Sequence, residues 1–292
     1  MAEGRKEKKI HTPFYFGGAA SCLAVLFTHP MDLLKVRLQT AKGHGEGFVH
    51  VISSIVKNQG INGFYKGLSA SLLRQATYST VRFGVYEESL KVLKRPDGTV
   101  SNFASIFSGM LGGAIGGVFG NPADVANVRM QNDGSLPLNQ QRKYKGVLDA
   151  LFRMVREEGP RSLLVGVTPN ITRGILVTGS QVGTYDIFKK ILVKQGMDPA
   201  NISTHFSCSV LAALVATTVC NPVDVAKTRI MNSSTKLYSS LGDALLTISR
   251  TEGPMALFKG WTPSFLRLGP QTVLVFVFLE QFKSVYLKYH NG

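Results

Sequence analysis

The chain alternates between long apolar stretches that carry no formal charge and shorter polar, basic ones. No Asp, Glu, Lys or Arg occurs between Asp97 and Asp124, between Asp198 and Asp224, or from Thr12 to Met31. Runs of about 20 residues or more are long enough to cross a bilayer as a helix. Small residues recur at every fourth position, as Gly109, Gly113 and Gly117 and as Gly112, Gly116 and Gly120. That spacing lets helix backbones approach closely in lipid. A polar segment follows each run, with an amphipathic stretch such as 144–159 that predicts a short helix at a membrane surface. A second, less apolar helix is expected at 69–92, 166–191 and 262–288. Each carries arginine among apolar neighbours, which in a membrane normally faces a water-filled path. The pattern predicts an all-α membrane protein with six transmembrane helices, three short surface helices and both termini on one side.

The pattern is a threefold repeat. HPMDLLKVRLQ at 29–39, NPADVANVRMQ at 121–131 and NPVDVAKTRIM at 221–231 align directly, with Pro30, Pro122 and Pro222 spaced 92 and 100 residues apart. A second echo follows each one: QGINGFYKG at 59–67, EGPRSLLVG at 158–166 and EGPMALFKG at 252–260. Repeats at this period signal a structure built from equivalent units. A single domain over 11–292, made of repeats 11–95, 96–196 and 197–292, is expected, with 1–10 as a disordered tail.

Composition agrees. Of 292 residues, 33 are Lys or Arg and 18 are Asp or Glu, a net charge of +15, yet charged residues make up only 17% and apolar ones 44%. Soluble domains carry about 25% charged residues. So low a charged fraction speaks against a nucleic-acid binder or a disordered basic tail. Cys22, Cys208 and Cys220 have no metal-ligand spacing and suit neither a disulfide framework nor a metal centre. The start MAEGRKEKKI lacks the apolar core of a secretory signal. No Ser–His–Asp or other catalytic constellation is visible, and an enzyme is not expected.

The pattern Pro-x-Asp-x-x-Lys/Arg-x-Lys/Arg, repeated three times with its downstream glycine motif, resembles the mitochondrial carrier family across about 12–288. The stretches 28–40, 128–137, 144–159 and 275–283 are most similar to the branch of that family that exchanges dicarboxylates. The stretch 72–86 is shared with oxoglutarate–malate exchangers, the alternative reading. The resemblance implies a threefold pseudosymmetric barrel in the mitochondrial inner membrane, with surface helices on the matrix side and termini in the intermembrane space. It implies exchange of small dianions such as malate, succinate and phosphate by a functional monomer. No cofactor is implied; cardiolipin is the lipid partner that the family and the charge suggest.

It also assigns residues. Pro30, Pro122 and Pro222 would kink the odd-numbered helices. Asp32 with Lys35, Asp124 with Asn127, and Asp224 with Lys227 would form a matrix gate braced by Gln39 and Gln131; Asn127 breaks the pattern and leaves three acids facing two bases. Glu87, Asp186 with Lys189, and Glu280 with Lys283 would form a cytoplasmic gate. Arg74, Arg173 and Arg267 each lie 13 residues before the acid of that second set. Thirteen helical residues rise about 20 Å, which places the three arginines at one depth. Tyr78 and Arg82 share the stripe of Arg74. Gln181 sits at the level of Arg82, and Gln271 one turn from Arg267. Arginine stays protonated and donates in pairs, which suits carboxylate and phosphate. These seven residues are the expected substrate site. Its excess positive charge, when empty, would disfavour turnover without a counter-anion.

Overall fold

The computed structural model describes residues 15–41, 47–94, 100–137, 139–196, 198, 202–233 and 237–291. The expected tail at 1–10 lies outside the described residues. Among the described residues six long helices form: α1 (Tyr15–Thr40), α3 (Leu68–Leu93), α4 (Asn102–Asp133), α6 (Val167–Lys194), α7 (Ile202–Asn232) and α9 (Trp261–Asn291). Three 12-residue helices lie between them: α2 (Phe48–Gln59), α5 (Val147–Glu158) and α8 (Leu241–Glu252). Each repeat is therefore long–short–long, as the polar pattern predicts.

The glycines of the second echo explain its recurrence. Gly60, Gly159 and Gly253 end the short helices, and Gly67, Gly166 and Gly260 start the long ones after a 3-10 turn. All six have positive φ, between 65 and 86°. Only glycine adopts that conformation without steric cost.

The long helices form a ring in which α3 packs most closely on α4, α6 on α7 and α9 on α1. The glycine rows do what their spacing suggests. Gly112, Gly116 and Gly120 lie against Tyr78 and Arg82 of α3, while Gly113 and Gly117 face Gly174 and Asn170 of α6. A Cβ on Gly112 would come within 2.7 Å of the Arg82 carbonyl.

Burial is inverted relative to a soluble protein. Arg129, His29, Gln39 and Gln131 are among the largest fully buried side chains, whereas Phe27, Phe103 and Phe119 are 64, 78 and 65% exposed. In water such apolar exposure would be costly; against lipid tails it is not. By hydropathy, the stretches Gly18–Thr40, Phe103–Asp133 and Ser207–Asn232 are long and apolar enough to cross a membrane. α3, α6 and α9 match them in length, with 26, 28 and 31 residues, and owe their lower hydropathy partly to inward-set arginines.

Pro30, Pro122 and Pro222 sit inside continuous helices rather than at their ends. The residue before each proline ties its helix to the next turn of structure. Asn121 donates to the carbonyls of Leu163 and Val165, and Asn221 to that of Leu257. In the first repeat His29 meets the Lys66 carbonyl at 3.1 Å.

Candidate functional site

Beyond the prolines, α1, α4 and α7 converge and close one end of the ring. Two sets of charged side chains join them there.

The inner set contains the residues singled out from the sequence. Lys35 of α1 donates to Asp224 of α7 at 2.7 Å, and Lys227 of α7 donates to Asp124 of α4 at 3.0 Å. The third link in this cycle would run from position 127 of α4 to Asp32 of α1. Asn127 cannot supply it. Its amide oxygen instead accepts from Ser71 and Gln131 at 2.7 and 3.0 Å.

The three arginines join the same set. Arg173 pairs with Asp224 at 2.6 Å, Arg267 with Asp32 at 2.6 Å, and Arg74 with Asp124 at 3.5 Å. Each arginine reaches the acid of the next odd-numbered helix, so they do sit at one level. They stand directly on the closed end rather than free in a cavity. Their side chains keep 23, 36 and 20% exposure for Arg74, Arg173 and Arg267. Among the described residues, five cations thus surround three carboxylates, two more positive charges than negative ones. Asp32 has Arg267 alone, and its Oδ2 is buried without a partner among the described residues.

The outer set was visible in the sequence only as an arginine recurring seven residues after each proline. Arg129 Nε donates to the Met231 carbonyl at 3.0 Å, and its two terminal nitrogens grip Glu158 at 2.5 and 2.8 Å. Arg229 Nε donates to the Gln39 carbonyl at 3.0 Å and likewise holds Glu252 with both terminal nitrogens. Arg37 Nε donates to the Gln131 carbonyl at 3.1 Å, but Gln59 stands where the others have glutamate, 2.7 Å from Arg37 Nη2. These arginines satisfy carbonyls at helix C-termini, which otherwise lack intrahelical donors. They also clamp each short helix to its neighbour.

The family model described as mitochondrial carrier protein matches residues 6–97, 98–196 and 198–290, once per repeat. The chain belongs to the mitochondrial carrier family. As a carrier it is a multi-pass transporter of the mitochondrial inner membrane. Among curated relatives, it is 48% identical to a mitochondrial dicarboxylate transporter of Saccharomyces cerevisiae, over 97% of each chain. It is 49% identical to mitochondrial citrate transporter F of Aspergillus niger, over 96% of this carrier and 91% of that protein. It is 43% identical to the human mitochondrial 2-oxoglutarate/malate carrier protein, over 94% and 90%.

The glutamine brace differs from expectation. Gln131 donates to Asn127 and Ser71 and touches no ion pair, and both polar atoms of Gln39 are buried without partners among the described residues. The reason is packing. The side chains of Gln39, Gln131 and Met231 lie against Gly260, Gly67 and Gly166, where an added Cβ would come within 2.6–3.0 Å of them. That position fills the space above a left-handed glycine, which methionine does as well as glutamine.

Higher in the ring, Tyr78 and Arg82 do share a stripe, with the guanidinium 5.9 Å from the ring centre. Gln271 is held at the α1–α9 contact, 2.5 Å from the Thr28 hydroxyl that donates to it. At the far end Glu87 is exposed and Lys189 half-buried. The side chains of Gln181, Asp186, Glu280 and Lys283 lie outside those described. Outside the spanning helices, hydrogen bonding from Arg229, reinforced by Lys259, pulls the Glu252 carboxyl down to about 2.

Proposed function

We propose that this carrier exchanges small dicarboxylates, malate and succinate among them, for phosphate or another dicarboxylate by alternating access. One observation carries the reading: the arginine level already binds carboxylates, its own, and is two charges short of neutrality. A dianion that displaces aspartates from Arg74, Arg173 or Arg267 supplies the missing charge. The freed aspartates no longer hold the arginines to the closed end, so binding favours opening. Without substrate the cluster keeps its excess charge in a poorly solvated place and stays closed, which gives exchange rather than leak.

In this reading Tyr78, Arg82, Gln181 and Gln271 line the site above the arginines. Asp32, Lys35, Asp124, Asn127, Asp224 and Lys227 form the matrix gate. Glu87, Asp186, Lys189, Glu280 and Lys283 form the cytoplasmic gate. Both termini face the intermembrane space, and one monomer, with cardiolipin at its matrix edge, suffices because a single chain supplies all three repeats. The yeast relative named for dicarboxylates favours this reading. The relatives named for citrate and for oxoglutarate/malate define the competitors.

The test is uptake of labelled malate, oxoglutarate and citrate into liposomes preloaded with phosphate, with malate, or left empty. We expect malate uptake into phosphate-loaded vesicles at least about tenfold above empty ones, a difference of 1.4 kcal/mol in effective barrier. Oxoglutarate uptake driven by malate but not by phosphate would move the assignment to an oxoglutarate–malate exchanger. Preferred uptake of citrate would refute the charge count.

A further inference from the structure

We infer that the closed end carries a second anion site, separate from the arginine level, in the cavity between α2 and the turn after α4. The cavity measures about 640 Å³ and is lined by Arg37, Lys66 and His50, by neutral donors including Ser54, Asn58 and Gln141, and by no acidic residue. In the other repeats the equivalent arginines have acids: Arg129 pairs with Glu158, and Arg229 shares Glu252 with Lys259. Here Gln59 satisfies one hydrogen bond of Arg37 and cancels none of its charge. Arg37 is 4% exposed, and neither it nor Lys66 has an acidic partner among the described residues. A buried, uncompensated guanidinium beside an open polar cavity is costly unless an anion occupies it.

The chemistry fits a small doubly charged phosphate. Arg37 and Lys66 match its charge, and the hydroxyl and amide donors match its oxygens. The same group could arrive as free phosphate or on a lipid. The structure favours the free ion, because the lining offers only Val51, Leu136 and Pro137 as large apolar contacts and no groove for acyl chains. The site lies between α1 and α4, where an anion would add the charge that this repeat lacks.

Lys66 is exposed and reports on the site directly. The full-length carrier in detergent is labelled with an amine-acylating reagent, and modification at Lys66 is read by mass spectrometry with and without inorganic phosphate. A parallel arm replaces phosphate with phosphatidic acid, whose headgroup is a phosphate monoester, in mixed detergent micelles. About 5 mM phosphate should protect Lys66 about fivefold or more, as expected for a dissociation constant near 1 mM. Gln59→Glu, which installs the acid of the other two repeats, should abolish that protection while the thermal midpoint stays equal or rises. Gln59→Asn, neutral and shorter, should keep at least part of it. Three results would each overturn the site: no protection by phosphate, protection by the lipid alone, or protection undiminished in Gln59→Glu.

Discussion

The three contacts among α1, α4 and α7 at the closed end are equivalent by repeat but unequal in chemistry. The α4–α7 contact has the Lys227–Asp124 pair and Arg129 with Glu158. The α7–α1 contact has Lys35–Asp224 and Arg229 with Glu252. The α1–α4 contact has neither set complete. Position 127 is asparagine where the inner cycle needs a cation, and position 59 is glutamine where the outer cycle needs an acid. Neutral hydrogen bonds stand in, from Thr40 to Asn132 at 2.5 Å and from Gln59 to the Gly134 carbonyl at 2.6 Å. Both departures from threefold symmetry fall on one seam. A ring that must open has two seams fastened by pairs of opposite charge and one crossed by the Arg37 guanidinium with no acid beside it among the described residues. The α1–α4 seam is therefore where separation should begin.

Breaking a strong seam gives the largest expected effect. Arg129→Gln removes a fully buried guanidinium and leaves Glu158 and the Met231 and Ser233 carbonyls without their donor. Removing one partner of a buried pair costs about 3–5 kcal/mol. The thermal midpoint of the detergent-solubilised carrier should fall steeply. Arg37→Gln should cost less, because no acid is left behind. Equal losses for the two variants would erase the distinction between seams.

Much of this was legible beforehand, and for physical reasons. Charge-free runs and glycine spacing reveal the helices and their close faces because lipid and backbone contact constrain composition directly. Lys35, Lys227 and their aspartates were legible because a charge beside a proline in an apolar helix has few other uses. The partners of Arg74, Arg173 and Arg267 were not. An ion pair between helices of different repeats leaves no spacing in the sequence, so the arginines read as free. The sequence shows the outer arginines only as the last base of the repeated motif, since a guanidinium that caps carbonyls of another helix has no partner side chain to announce it. The packing of Gln39 is hidden for the opposite reason: its neighbour is Gly260, and a glycine's missing side chain is not something a motif displays.

Fastening the weak seam should give a smaller, opposite effect. Asn127→Lys places a cation where it relates to Asp32 as Lys35 does to Asp224. The buried Oδ2 of Asp32 is free to accept it. The variant loses the hydrogen bonds of Asn127 with Ser71 and Gln131. The net gain should still be about 1 kcal/mol for the closed form, so malate–phosphate exchange should slow about fivefold while the thermal midpoint rises. Faster exchange with a raised midpoint would show that the α1–α4 seam does not limit opening.

The smallest effect is one of pH, and it separates the third repeat from the first. Glu252, held by Arg229 and Lys259, titrates at about 2 in the folded carrier. Unfolded, a glutamate titrates near 4.3. Its folded value is the lower, so its contribution is complete above about pH 4.3 and disappears as pH falls through about 2. At neutral pH nothing should change with small shifts in pH. Between about pH 4.3 and 2 the thermal midpoint should decline, and part of that decline should be absent in Glu252→Gln, which copies the neutral side chain of Gln59. Gln59→Glu should do the reverse and add an acid-sensitive component to the α1–α4 seam. If Glu252→Gln leaves the slope of the midpoint against pH unchanged in that window, the Arg229–Glu252 clamp contributes nothing that depends on charge. The inequality among the seams would then rest on the inner lysine–aspartate pairs alone.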